Sequence, residues 1–345
     1  MTLIYFIIVL GIIVLVHEFG HFIFAKMFGV HVYEFSIGMG PKIWGTKPKK
    51  DKTVYNIRAI PIGGFVQLAG EEVDDDEKIP ASKKLYNKPV WQRFLIMFFG
   101  AGNNFILAFL IFFFVGLFTG SPIMDPIVWQ ADESNPAYQA GIRVNDEIVS
   151  IDGKSVSTID DVMVYLTLAA DGDEVSIVTS REGKETEYKV TPVKIKDENG
   201  ERYVFGIGAE ADKESGFFNA IKYSFIKIGA LIKQMCIVLV SLFTGVLGLD
   251  SMSGPVGIFS LVGETAAFGF VSLLSLIALL SVNVGFLNLI PFPAFDGGRL
   301  VFLIIEKIKG SPVSPKVENT IHGVGFILLM ILILVITFND ILRLF

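Results

Sequence analysis

From Phe270 to Ile290 the chain runs for 21 residues without a charged side chain. A helix rises about 1.5 Å per residue, so such a run crosses the roughly 30 Å hydrocarbon layer of a bilayer. In that solvent every backbone N–H and C=O must be paired internally, which leaves helices and closed barrels as the spanning structures. Three further apolar stretches, at about 3–25, 94–118 and 323–338, read the same way. Composition agrees, with 52% hydrophobic residues, 31 phenylalanines and a mean hydropathy of +0.59. The expected fold class is a polytopic α-helical membrane protein with four transmembrane helices. A cleaved signal peptide is the alternative for the first stretch. Met1-Thr2-Leu3 lacks a basic flank and no small-residue cleavage site follows, so a retained span is expected.

Between the spans the character changes. Residues 26–93 form a loop rich in Lys and Arg, which the positive-inside rule assigns to the cytoplasmic side. Within it Val54–Pro61 alternates as a strand, Gly63-Gly64 makes a turn and Phe65–Leu68 reads as a second strand, giving a membrane-associated β-hairpin over 54–68. Residues 122–212 have soluble composition and mixed charge, with a helical stretch at Thr158–Leu168 and strands at Glu174–Ser180 and Glu185–Thr191. Phe217 to Leu249 is apolar but interrupted by Lys222, Lys227 and Lys233, as in an amphipathic helix lying at the interface. The expected order is therefore a first membrane part (1–121), an inserted domain (122–212), interfacial helices (213–269) and a second membrane part (270–345).

The chemistry begins inside the first span. No charge occurs from Leu3 to Val16, and then His17, Glu18 and His21 arrive together. Positions i and i+4 share a helix face, so His17 and His21 can hold one metal ion, with Glu18 placed to take a proton from an attacking water. The formal charge of -6 argues against a nucleic-acid partner. Cys236 is the single cysteine, which excludes disulfides within the chain and multi-thiolate metal sites. With only four histidines (His17, His21, His31, His322), further ligands must come mainly from carboxylates. His31 and Glu34 are the local candidates for a third ligand, in a loop with no periodicity aiming them back. Asp296 is the stronger candidate, because an ionisable group at membrane depth costs about 2.5–3.5 kcal/mol on insertion scales and is functional by default. An N-cap role for Asp296 at the next helix is an equally good local explanation. If the 225–249 helix stays on one side of the membrane, His17, His21 and Asp296 share a membrane face; if it crosses, they cannot meet. His31, His322 and Cys236 are read as bystanders.

The inserted block, with its Asn135–Ile142 run followed by Asn145–Gly153, resembles a PDZ domain of the bacterial, circularly permuted kind. A first-span H-E-x-x-H, this block and Asn288-Leu289-Ile290-Pro291-Phe292-Pro293-Ala294-Phe295-Asp296-Gly297-Gly298 together resemble the site-2 protease family, in particular the bacterial RseP-type intramembrane zinc metalloproteases. The resemblance covers essentially the whole chain. It implies a Zn2+-dependent endopeptidase of the bacterial inner membrane that cuts transmembrane segments of single-span proteins, such as anti-sigma factors or remnant signal peptides. It implies Glu18 as the catalytic acid–base, Asp296 as the third zinc ligand beside His17 and His21, and substrate contacts at Asn288 and at Gly63, Gly64 and Phe65 of a re-entrant β element. It further implies an extracytoplasmic PDZ domain that contacts substrate and an active site near the cytoplasmic face. Two features depart from many RseP-type members: there is room for one PDZ domain, and Gly100-Ala101 stands where Gly-Pro is common. A non-catalytic PDZ-bearing scaffold is the competing class; it gives Glu18 and Asp296 no shared purpose.

Overall fold

The computed structural model describes residues 1–49, 52–71, 78–170, 172–197, 200–208, 212–248 and 251–342. The chain divides into two units, Met1–Ile111 with Leu249–Phe345, and Phe112–Gly248.

The first unit is built mainly on long apolar helices. Helix α1 (Thr2–Met27) and helix α2 (Val90–Thr119, which runs on into the second unit) lie in backbone contact. A Cβ at Gly20 would stand 1.9 Å from the carbonyl oxygen of Phe99, so only glycine permits the crossing. Helix α7 (Phe270–Leu289) and the short apolar helix α6 (Pro255–Ala267) join α1 around Val9, Ile13, Val262, Leu273 and Ile277. Helix α8 (Asp296–Lys309) packs Leu300 and Leu303 on Ala25, Ile96 and Met97. Helix α9 (Pro315–Leu342) exposes Phe326, Ile327 and Leu334, the pattern of a lipid-facing surface.

Strands β1 (Val32–Thr46) and β2 (Val54–Leu68) form a sheet between α1 and α2. The expected 54–68 hairpin is corrected here. Its two halves do not pair with each other: Glu34, Phe35, Ser36 and Ile37 register with Val54, Tyr55, Asn56 and Ile57 on one side, and with Gln67, Val66, Phe65 and Gly64 on the other. The hairpin that does form joins the outer parts of the strands, where Thr46 faces Tyr55 and Gly45 faces Asn56. The element is wider than a hairpin because 32–46, read as loop, supplies its central strand. Arg58 fastens it by donating to Glu34 Oε1 (2.6 Å) and Ser36 Oγ (2.9 Å).

The second unit holds the soluble block. Strand β3 (Ser121–Pro122) pairs with β10 (Lys213–Glu214), so the chain enters and leaves the block at one place. Inside, β4 (Glu147–Ile151), β5 (Lys154–Ser155), β6 (Val175–Arg181) and β7 (Lys184–Val190) form a sheet of order β5-β4-β6-β7. A separate hairpin, β8 (Val193–Asp197) with β9 (Gly200–Val204), follows. Helices α3 (Pro136–Ala140) and α4 (Ile159–Leu168) cover a core of Val128, Ile142, Ile148, Ile151, Val162 and Ile177. Thr158 and Asp161 close a capping box that starts α4 where the sequence places it.

Helix α5 (Phe217–Phe243) is one continuous helix of 27 residues, longer than its uninterrupted apolar stretch suggests. Two of its lysines turn to acids rather than to solvent: Lys227 Nζ donates to Asp160 (2.7 and 2.9 Å) and Lys233 Nζ to Asp161 (2.8 Å), both on α4. Among the described residues, five helices are long and apolar enough to cross a bilayer: α1, α2, α5, α7 and α9.

Candidate metal centre and active site

Helical spacing alone brings His17 and His21 onto one face of α1, where both are buried. Their Nε2 atoms lie 3.3 Å apart. The Asp296 carboxylate completes a triangle, with Oδ2 3.1 Å from His17 Nε2 and 3.2 Å from His21 Nε2. Two donors each about 2.0–2.1 Å from one tetrahedral ion stand roughly 3.3 Å apart, so the three atoms fit a single zinc-sized ion. Asp296 Oδ2 is buried and accepts no hydrogen bond despite the two nearby nitrogens. Three ligand-type atoms this close, with Oδ2 otherwise unpartnered, form a set that one ion can share. Among the described residues this is the one group of three His, Cys, Asp or Glu side chains able to share an ion.

Local sequence explains each placement. His21 Nδ1 donates to the carbonyl of Ile96 on α2 (2.8 Å), which leaves the Nε2 lone pair free to hold an ion. Gly100, one turn further along α2, makes the space: a Cβ there would lie 2.2 Å from His21 Nε2 and 3.0 Å from Asp296 Oδ2. Asp296 begins α8 with no side-chain capping bond, so the N-cap explanation falls away. Gly297 lets the end of α7 fold back onto α8, since a Cβ there would meet the carbonyl of Ile290 at 2.2 Å. The intervening loop holds Ala294 at φ +101°, a conformation that L-residues rarely adopt. His322 of α9 braces it, its Nδ1 accepting from the Ala294 N–H at 3.2 Å.

A cavity of about 570 Å³ opens on the triangle, and Glu18, Phe65, Asn288, Arg299 and His322 share its wall with the three ligand-type residues. Glu18 sits against the β element, 3.7 Å from where a Cβ on Gly64 would stand. Of the residues singled out in the sequence, His17, Glu18, His21, Asp296, Asn288 and Phe65 therefore line one cavity. Gly64 backs it, whereas Gly63 packs towards Met39. Glu34, a local ligand candidate, is engaged by Arg58. His322, read above as a bystander, thus supports the loop that carries Asp296, and α2 brings two amides to the site as well. Asn104 lies 3.4 Å from His17 Nδ1, and Asn103 donates to the carbonyl of Val16 at 3.4 Å. Arg299 pairs with Glu71, tying the helix that carries Asp296 to the end of β2.

Residues 5–332 match the sequence profile of Peptidase family M50. The chain belongs to that family. A "putative zinc metalloprotease" of Fusobacterium nucleatum is 36% identical over 347 residues, covering 100% of both chains. The regulator of sigma-W protease RasP of Bacillus subtilis is 32% identical over 421 residues, covering 100% of this chain and 99% of its own. The PDZ domain of an SdrC-like protein of Listeria monocytogenes aligns with 25% of this chain and 86% of its own, at 21% identity and a TM-score of 0.22. As an M50 peptidase the chain is a multi-pass, zinc-dependent intramembrane endopeptidase of regulated intramembrane proteolysis, acting on membrane-protein substrates.

Proposed function

We propose that His17, His21 and Asp296 hold the zinc, that Glu18 is the acid–base residue, and that the reaction is hydrolysis of an unwound transmembrane segment laid along β2. The observation that carries this reading is the convergence of three ligand atoms from α1 and α8, all within 4.8 Å of one another, on the cavity that Glu18 lines. When bound, zinc supplies the Lewis acidity that makes water a nucleophile near neutral pH. The Glu18 carboxylate takes the proton of the attacking water and gives it to the departing amide nitrogen, work worth about 10²–10⁴-fold. A helical substrate hides its carbonyls in its own hydrogen bonds and must first unwind. Val66 and Phe65 lie at the β2 edge beside the cavity, where a new strand would satisfy the freed backbone groups that the bilayer cannot. The Asn288 side chain lines the same wall, its Nδ2 donating to the Val284 carbonyl (3.0 Å), and in this reading its oxygen accepts from that strand.

The B. subtilis relative is by its name a regulator of sigma-W. For this chain we propose the same substrate class, single-span regulators such as anti-sigma factors, together with remnant signal peptides. The setting is a bacterial inner membrane, with the metal centre near the cytoplasmic face and the PDZ-like block outside, where it contacts substrate.

Glu18→Gln tests the chemistry. The full chain in detergent is expected to keep stoichiometric zinc and lose cleavage of a single-span substrate; continued release of the fragment overturns the role of Glu18. Asp296→Ala is expected to lose zinc, and an undiminished zinc content removes Asp296 from the ligand set.

A further inference from the structure

His17 must keep the lone pair of Nε2 free if that atom is to hold zinc, so its ring proton must sit on Nδ1. A proton on a fully enclosed nitrogen needs an acceptor, and metal-ligating histidines almost always find one in a carbonyl or carboxylate. For His21 the acceptor is the Ile96 carbonyl. For His17 the group facing Nδ1 is the side-chain amide of Asn104, 3.4 Å away and fully buried. Its nitrogen and oxygen have nearly the same shape, so their assignment follows from the hydrogen-bond network. With Nδ2 towards His17 the amide would donate to Nδ1 and force the ring proton onto Nε2, the atom the metal needs. Turned the other way, the amide fills the same volume and Oδ1 accepts from Nδ1–H. Turning it breaks no bond to oxygen, because Oδ1 has no hydrogen-bond partner in its present orientation.

We infer that Asn104 is a positioning residue of the metal centre: its Oδ1 accepts from His17 Nδ1–H and sets the tautomer that presents Nε2 to zinc. The inference rests on the zinc-ligand reading above and deepens it. The surroundings hold Asn104 in place for this work. Its backbone carbonyl accepts from Ser281 Oγ of α7 at 2.9 Å, and Gly285 brings α7 so close that a Cβ there would lie 3.3 Å from the Asn104 Cβ. The amide is thus clamped between the helix of the histidines and the helix that leads to Asp296.

Helix packing and tautomer control make different demands of this side chain, so two substitutions and one control separate them. Asn104→Leu keeps the volume and removes the acceptor. Asn104→Asp keeps an acceptor oxygen and removes the donor. Ser281→Ala loosens the α2–α7 contact and leaves the amide untouched. Each full-length variant in detergent is titrated with zinc against a competing chelator, with thermal unfolding of the zinc-free form measured alongside. Wild type binding one zinc establishes the underlying site independently of Asn104. Asn104→Leu is then expected to bind zinc roughly 10–100-fold more weakly, and Asn104→Asp as tightly as wild type or more so. Ser281→Ala should lower the unfolding temperature and keep its zinc affinity. The inference is overturned if Asn104→Leu binds zinc like wild type, or if Asn104→Asp loses zinc as Asn104→Leu does, which would make the donor the group that matters. It is equally overturned if Ser281→Ala weakens zinc as much as Asn104→Leu. Should Asn104→Leu fail to fold, Asn104→Asp decides alone: retained zinc supports the acceptor, and weakened zinc refutes it.

Discussion

Gly100 works at the scale of one missing methyl group. Across from it, His21 Nε2 and Asp296 Oδ2 occupy the space a side chain would take. Gly100→Ala leaves every polar group of the centre in place yet introduces about 1–3 kcal/mol of overpacking. We expect roughly ten- to hundredfold weaker zinc retention in a chelator competition, with the helix content of the protein unchanged by circular dichroism. A second residue-scale case lies in the PDZ-like block, where Asp146 is buried and Arg181 donates to both its oxygens (2.6 and 2.7 Å) beside the Arg143 N–H (2.8 Å). Burial pushes this carboxyl up, but the hydrogen bonds from Arg181 and Arg143 outweigh it and hold it below its ordinary value. A depressed carboxylate stabilises the fold above the unfolded value, about pH 4, and loses that contribution as pH falls through its own lower value. Hydrogen exchange in β4 and β6 of the full chain should therefore stay slow down to about pH 4 and quicken below it. Arg181→Met should speed it already at neutral pH, by the roughly 1–3 kcal/mol that a stranded buried carboxylate costs.

The elements differ in how plainly the sequence announces them. Helix α7 is legible because 21 uncharged residues in lipid have one solution, and α4 because Thr158 and Asp161 mark its start. The β1–β2 sheet is not, since alternation in Val54–Leu68 reports two strands without saying that Glu34–Ile37 will slide between them. That pairing is set by contacts on both edges of one strand, which no local pattern records. The metal centre divides the same way. His17, Glu18 and His21 are fixed by helical period, and the D-G-G turn flags Asp296. Asn104 instead looks like any amide in a tight helix crossing, and only its distance to His17 gives it a role. Asp340 is a further case of a long-range partner. It sits near the end of α9 and accepts from the N–H groups of Gly254 (3.1 Å) and Gly257 (2.9 Å), capping α6 from another helix. Asp340→Ala should cost about 0.5–2 kcal/mol in detergent unfolding, while Asp340→Asn, which keeps one acceptor, should recover part of it.

At the scale of the whole molecule, two meetings constrain the path of the chain through the membrane. His21 near one end of α1 meets Asp296, and Thr2 at the other end lies beside Gly263 of α6. If α1 spans, the chain is on one side of the membrane at α6 and on the other at the start of α8, with α7 as the crossing between them. We predict that reporters fused after residues 47 and 310 report the cytoplasmic side, and reporters after residues 183 and 254 the opposite side. The α5 helix then enters and leaves on one side despite its length, with Lys227 and Lys233 engaged by the PDZ-like block. Opposite compartments for 47 and 310 would refute the shared centre, and a cytoplasmic reporter at 254 would make α5 a fifth crossing.

The division of the proposed ligand set between α1 and α8 has a consequence for biosynthesis. A ribosome delivers His17, Glu18 and His21 at the outset and Asp296 only after the PDZ-like block and α7 have been made. Until then the emerging polypeptide carries two imidazoles and no complete cage, and a two-ligand site holds zinc far less firmly than a closed one. On the proposed ligand set, the peptidase is kept inert through most of its own translation while other nascent proteins pass through the same insertion machinery beside it.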